Sequence, residues 1–482
     1  MPTGNAENRR RGWLSPLIYL ANNWISLSGV VIVTTATIFW LFLLPVTLKG
    51  EIASPYIGIL VFLALPGPFF VGLILIPLGI WLKRRREGRS GVYPSDFPSL
   101  SWGNFELRKL TYFFGATTLL NIAIASQLTY GAINYMDSVT FCGQTCHTVM
   151  QPEFTAYVNS PHSRVECVKC HIGPGAGWFV KSKLSGVGQV VAVTFHTYPT
   201  PIPTPVHNLR PARETCEQCH WPQKYAEDRL KVIPKYAADE ANTLTKTVLL
   251  MKIGGGNKGI GIHTTHLGTG VTIRYRSDEN RQTIPWVEYD NNGKVTEYAD
   301  ASSKATGINP TPRTMDCMDC HNRPAHSFDL PDRGVDKAMN NGDISAALPF
   351  AKKKAVEILK APYVSRDEAA EKIPAAFLKF YQESYPAIWA QRQAEVTKSA
   401  EGVLAVWNRN VFPEMKVTWG SYPMNVGHED FPGCFRCHDG AHSSKGGDSI
   451  TQDCNACHNL LAQDEANPKV LTELGIEEKK GQ

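Results

Sequence analysis

Histidine closes every cysteine pair in this chain of 482 residues, and no cysteine lies outside such a pair. Five pairs read C-x-x-C-H: Cys167, Cys170 and His171; Cys216, Cys219 and His220; Cys317, Cys320 and His321; Cys434, Cys437 and His438; Cys454, Cys457 and His458. The pair nearest the N-terminus is one residue longer, Cys142-Gly-Gln-Thr-Cys146-His147. Two thiols at this spacing reach the two vinyl groups of one porphyrin while the adjoining imidazole turns to the iron, which is the chemistry of covalently attached haem c. The twelve cysteines therefore read as thioether attachment points for six haems, and the six motif histidines as proximal axial ligands.

Disulfides and zinc are the competing uses of paired cysteines, and neither requires a histidine directly after the pair. With 14 histidines in the chain, six falling there by chance has odds of about 10⁻⁹. An iron that only shuttles electrons needs a second axial ligand, and eight histidines lie outside the motifs: His162, His196, His207, His263, His266, His326, His428 and His442. His162, His207, His326, His428 and His442 each sit close in sequence to a motif and are expected as distal ligands. His263 and His266 are further candidates, one of which could fold the surrounding segment onto a haem, whereas His196 is the weakest of the eight. Met150 stands one helical turn beyond His147 and competes for the first iron, where it would raise the potential; a core methionine is the plainer reading.

Two unlike parts of the chain must position these groups. Residues 12–48, 52–82 and 110–136 contain no charge, and each stretch exceeds the 18 or so residues of a bilayer span. Transmembrane helices are expected near 24–48, 55–82 and 111–134, the second bent by Pro66 and Pro68, the third weakened by Asn121, Ser126 and Gln127. Arginine and lysine gather before the first span (Arg9, Arg10, Arg11) and between the second and third (Lys83 to Arg89, Arg108, Lys109). That pattern places the N-terminus in the cytoplasm and residues 135–482 on the far side of a bacterial inner membrane, the periplasm, where haem c is attached. The first span is too long for a secretory signal and lacks an A-x-A site. The net charge of +5 comes from residues 1–132, with 11 basic and 5 acidic residues, while the rest of the chain holds 38 and 39. This is topological charge and excludes nucleic acid as a partner.

Outside the membrane the motifs fall in two clusters, 142–220 and 317–458. Between them Val271-Thr-Ile-Arg-Tyr-Arg276 and Trp286-Val-Glu-Tyr289 alternate like strands, with a hairpin turn expected at Asp290-Asn-Asn-Gly293. The run Gly254 to Gly261 lacks the G-K-[ST] ending of a phosphate loop and a following helical pattern, and reads as a strand turn. Residues 345–400 read as helices broken near Pro362 and Pro374. The expected domains are 1–135, a membrane domain with three transmembrane helices; 136–225, with haems 1 to 3; 226–312, a β-rich insert; and 313–482, with haems 4 to 6. The fold class is a membrane-anchored multihaem cytochrome c whose outer domain is mainly α and loop, packed around haem, with a small β insert.

The stretch from Phe141 to Trp221, with Cys-Gly-Gln-Thr-Cys-His147, Ser160-Pro-His-Ser-Arg-Val-Glu-Cys-Val-Lys-Cys-His171 and Gly173-Pro-Gly-Ala-Gly-Trp-Phe-Val-Lys-Ser-Lys183, closely resembles the NapC/NirT/NrfH membrane quinol dehydrogenases. With the preceding span the likeness covers about residues 110–225, and the two extra spans and three extra motifs look more like the larger inner-membrane multihaem cytochromes of metal-reducing bacteria. The resemblance implies oxidation of menaquinol or another quinol from the membrane pool, electron delivery to a periplasmic cytochrome or reductase, and a function in anaerobic or metal-linked respiration. It implies a methionine on the first iron, matched loosely by Met150, and a pocket lysine, matched by Lys181 or Lys183. The carboxylate of that pocket has no match, because no Asp or Glu occurs from Cys167 to Arg213; Glu153, Asp137 or Gln189 would have to serve through water. Seven residues from Tyr135 to Cys142 span at most about 25 Å, so the first haem must lie close to the bilayer. The alternatives are an electron-transfer subunit whose quinol chemistry belongs to a partner in the membrane, and a multihaem terminal reductase, which would need an open iron.

Overall fold

The computed structural model describes residues 15–48, 66–94, 102–145, 147–206, 209–221, 227–255 and 260–476. The chain forms two compact units, Met1–Ser138 with Pro174–Thr197 and Val139–Gly173 with Tyr198–Gln482. The borders differ from those expected: the segment after the second motif joins the N-terminal unit, and the β-rich residues share one body with the last three motifs.

In the N-terminal unit the apolar runs form the helices Ser15–Ala21, Trp24–Leu48, Pro66–Ser90 and Phe105–Asp137. Helices Trp24–Leu48 and Pro66–Ser90 approach at glycines, since a Cβ on Gly29 would lie 2.7 Å from the carbonyl oxygen of Gly72. Such contact between backbones is how small residues hold helices together where lipid offers no hydrophobic driving force. The hydroxyl of Ser26 donates to the Ile76 carbonyl at 2.8 Å, and the Asn121 amide donates to Thr34 at 3.1 Å, which ties in the third long helix. Lys83 caps the first short helix by donating to the carbonyls of Tyr19 and Asn22. Pro66 and Pro68 open the described part of this helix, the residues just before them lying outside the described residues, and the proline within it is Pro77. Among the described residues one helix, Gly67–Ser90, is long and apolar enough to cross a membrane, and Ser15–Ala21 with Trp24–Phe39, bent by 93°, supplies a second candidate. The helix Phe105–Asp137 has the length but not the hydropathy, as its polar residues foreshadow. The helix Ala176–Thr194 completes this unit.

The second unit is mainly helix and loop with two antiparallel sheets. The strands are β1 (Arg229–Tyr236), β2 (Leu244–Met251), β3 (Val271–Arg276), β4 (Trp286–Asn291), β5 (Lys294–Asp300), β6 (Arg313–Thr314), β7 (His442–Ser444) and β8 (His458–Glu465). Their orders are β1-β2-β8 and β6-β3-β4-β5-β7. The β4–β5 hairpin turns at Asn292 and Gly293, both at positive φ, as a two-residue Asn-Gly loop demands. Each sheet is closed by a strand from the C-terminal end of the chain, so the β region is no self-contained insert.

Side chains rather than cofactors fill the largest core. Helices Pro331–Asn340, Ala351–Lys360, Arg366–Ser384 and Pro386–Asn410 enclose Leu348, Leu359, Ile373, Phe377, Tyr381 and Trp407. The expected break near Pro362 is there, between Lys360 and Arg366, but Pro374 sits inside a continuous helix. Burial of Ile373, Phe377 and Tyr381 along one stripe outweighs the roughly 3 kcal/mol that an interior proline costs.

Candidate functional site

Five motif histidines each face a second imidazole in the second unit. Ring centroids are 5.9 Å apart for His220 and His162, 6.2 Å for His171 and His326, 6.3 Å for His321 and His263, 5.9 Å for His438 and His266, and 6.3 Å for His458 and His428. Two metal–imidazole bonds of about 2 Å plus two ring radii of about 1.1 Å span roughly 6.2 Å, so each gap fits one iron between two rings. The motif histidine of each pair directly follows the second cysteine of its motif. None of the eleven described cysteines is in a disulfide, and among the described residues no three His, Cys, Asp or Glu side chains converge as a metal cage. The arrangement fits haem and neither rival use of the cysteines.

Backbone carbonyls orient the rings. Nδ1 of His162 donates to Pro324 O at 3.2 Å, that of His326 to Glu153 O at 3.0 Å, that of His266 to Ile262 O at 2.7 Å and that of His438 to Thr451 O at 2.6 Å. A carbonyl only accepts, so each Nδ1 carries the proton and Nε2 keeps its lone pair for a metal. Burial pushes His171, His263, His266, His321, His326 and His458 below the ordinary histidine value. In His171, His263 and His458 the facing imidazole adds to that effect. Neutral imidazole is the form that binds iron.

His263 and His266 both lie on the short helix Ile262–Leu267, bounded by Gly261 and Gly268, and face different motif histidines. This helix follows the glycine-rich run directly, where none was expected, and it employs both histidines rather than one. The longer first motif is accommodated by a π-helical turn, Phe141–Thr145, whose wider repeat takes up one additional residue. Gly143 is required there because a Cβ would enter the ring of Phe154. Met150 lies partly buried on the helix His147–Val158. Cys146, His207 and the side chain of His147 lie outside the described residues.

Two expectations change. His442 is fully buried, but its Nδ1 meets Asp439 at 2.8 Å and its Nε2 meets Ile284 O at 2.6 Å. Both ring nitrogens are taken by oxygen, so it packs the base of the fifth motif instead of facing an iron. Glu153, a candidate for the quinol proton, gives both carboxylate oxygens to Arg323, at 2.8 and 2.9 Å, with Arg323 only 6% exposed. The pair is a charge-assisted double contact on one buried guanidinium. Glu153 stands within 3.3 Å of His326 and orients that ring. In the N-terminal unit Gln189 and Lys181 are exposed, with the Lys181 ammonium 4.7 Å from the Trp178 ring centre; the side chain of Lys183 lies outside the described residues.

The motifs' intervening positions carry roles that sequence reading passed over. Asp319, between Cys317 and Cys320, is 2% exposed and accepts from the Tyr275 hydroxyl (2.5 Å), Arg313 Nε (3.0 Å), Arg281 Nη1 (3.3 Å) and the Asp316 amide (2.7 Å). Arg436, between Cys434 and Cys437, donates to the carbonyls of Asp319 and Arg281, both at 2.6 Å. A charged residue inside the two-residue spacer was the available signal.

Ring planes make the pairs spectroscopically distinct. The His428 and His458 planes differ by 29°, the other four pairs by 52° to 68°. Aligned imidazoles split the iron π orbitals and give a rhombic low-spin signal, whereas crossed ones leave them nearly degenerate and strongly anisotropic. Electron paramagnetic resonance of the oxidised protein should therefore show one rhombic species against strongly anisotropic ones, and His428→Ala should abolish the rhombic signal. A uniform set of rhombic signals would contradict these angles.

Paired thiols, each with an adjoining imidazole and a second ring across an iron-sized gap, define a c-type cytochrome carrying several haems. The chain is 43% identical over 451 residues to cytochrome c-type protein ImcH of Geobacter sulfurreducens, covering 92% of this chain and 88% of that protein. It belongs to that family of c-type cytochromes, which bind haem c covalently. No family model and no solved structure matches it.

Proposed function

We propose that this chain is a membrane-bound hexahaem c-type cytochrome that oxidises quinol and passes the electrons to a periplasmic cytochrome or reductase. The facing imidazole pairs carry the reading: His162, His326, His263, His266 and His428 are the distal ligands opposite His220, His171, His321, His438 and His458. Bound haem supplies one-electron chemistry at low potential. The imidazoles close both faces of five irons, which leaves no room there for a small substrate and argues against a terminal reductase. The apolar helices and the arginine-rich loop support an inner-membrane anchor with the haem unit outside. Quinol oxidation is supported by the NapC/NirT-like stretch and by the grouping of Ala176–Thr194, with Trp178 and Lys181, among the apolar helices.

Occupation of Glu153 by Arg323 favours a second reading, an electron-transfer subunit that takes electrons from a quinol-oxidising membrane partner. Purified protein mixed with menaquinol separates the two, since haem reduction without a partner is expected only of the first. Lys181→Met or Lys183→Met should slow that reduction, unequally because the two lie on different faces of one helix, and leave dithionite reduction unchanged. Equal, parental rates in both variants would remove the lysine assignment.

A further inference from the structure

Thioether sulfurs mark the vinyl edge of each porphyrin, so neighbouring thiols from different motifs mark neighbouring porphyrin edges. The described thiols meet in a regular succession. Cys142 of the first motif lies beside Cys167 of the second. Cys170 of the second neighbours Cys219 of the third, and Cys216 of the third lies beside Cys317 of the fourth. Cys320 of the fourth neighbours Cys434 and Cys437 of the fifth, and Cys434 neighbours Cys457 of the sixth. Each of these contacts joins consecutive motifs.

The backbone follows the same succession. The helical turn Cys167–His171 packs on Ala212–Cys216, which packs on Cys317–Cys320. Arg436 in the fifth motif donates to the Asp319 carbonyl in the fourth. His263 and His266, one turn apart on a single helix, face the histidines of the fourth and fifth motifs.

We infer that the six haems form one unbranched file in the order of their motifs, the fourth and fifth locked together by the helix Ile262–Leu267. This rests on the bis-histidine reading above and adds the order and direction of conduction. Electrons enter at the first motif, next in sequence to the apolar helices, and leave at the sixth, the other end of the file. Each hop moves one electron: the donor iron goes from ferrous to ferric, the acceptor from ferric to ferrous, and no proton moves.

The test is a set of five single variants of the full-length protein, His162→Met, His326→Met, His263→Met, His266→Met and His428→Met, each followed by redox titration with magnetic and optical spectroscopy. Methionine ligation raises one midpoint and marks that haem by its sulfur-to-iron band. Charge interaction between close haems then shifts the midpoints of its neighbours. The order predicts that His266→Met shifts the haems marked by His263→Met and His428→Met, and leaves those marked by His326→Met and His162→Met in place. A variant that loses its haem, seen as a mass deficit, shifts the same two neighbours and reads the same adjacency. Neighbour shifts that skip a motif overturn the file. Absence of any sulfur-ligated or missing haem across all five variants overturns the ligand pairing instead.

Discussion

Asp319→Ala should lower the stability of the haem-loaded protein by about 3–5 kcal/mol, the range for removing one member of a buried ionic network. The substitution strips a fully buried carboxylate from two guanidinium groups, Arg281 and Arg313, and from the Tyr275 hydroxyl. The tyrosine is pushed well above its ordinary value by burial and then by this carboxylate, so it stays a donor throughout the working pH range. Loss of Asp319 also removes the capping box that starts the turn Cys317–Cys320, and with it the placement of His321. The midpoint of urea unfolding, read by haem absorbance, measures the effect, and Asp319→Asn, which keeps the shape without the charge, should fall between parent and alanine. An unchanged midpoint in the alanine variant would show that the cluster is ornamental to stability.

His326→Ala should convert one haem of the set from six-coordinate low-spin to five-coordinate high-spin and allow it to bind one equivalent of carbon monoxide. The reason is the 6.2 Å approach of this ring to His171, with Nδ1 anchored on the Glu153 carbonyl and Nε2 left for the iron. Haem content should be unaffected, because attachment depends on Cys167 and Cys170. If all haems stay low-spin and none binds carbon monoxide, His326 is not a ligand and the pairing with His171 is coincidental.

Attachment points were legible because thioether chemistry fixes thiols and imidazole within a few consecutive residues. The histidines that face the motif rings were among the candidates named from sequence, but not the pairing, which tertiary folding makes: His326 follows the fourth motif in sequence yet faces the histidine of the second. Proximity misled at His442, where a carboxylate three residues away and a carbonyl from another strand satisfy the ring. The helix Ile262–Leu267 is too short to show a hydrophobic period, and its glycine borders read as turn. At Pro374 local propensity yielded to burial, and the long helix Phe105–Asp137 could be read from its uncharged run although its composition leaves it short of the hydropathy of a span.

The closing strands of both sheets set an order of assembly. β7 and β8 come from the C-terminal end of the chain and pair with β5 and β2, so a chain still being delivered presents those two strands as bare edges. β8 begins at His458, the last residue of the last motif, so the smaller sheet can close only once the final attachment site has arrived. A chain truncated before Cys454 would leave β2 as a bare edge beside β1.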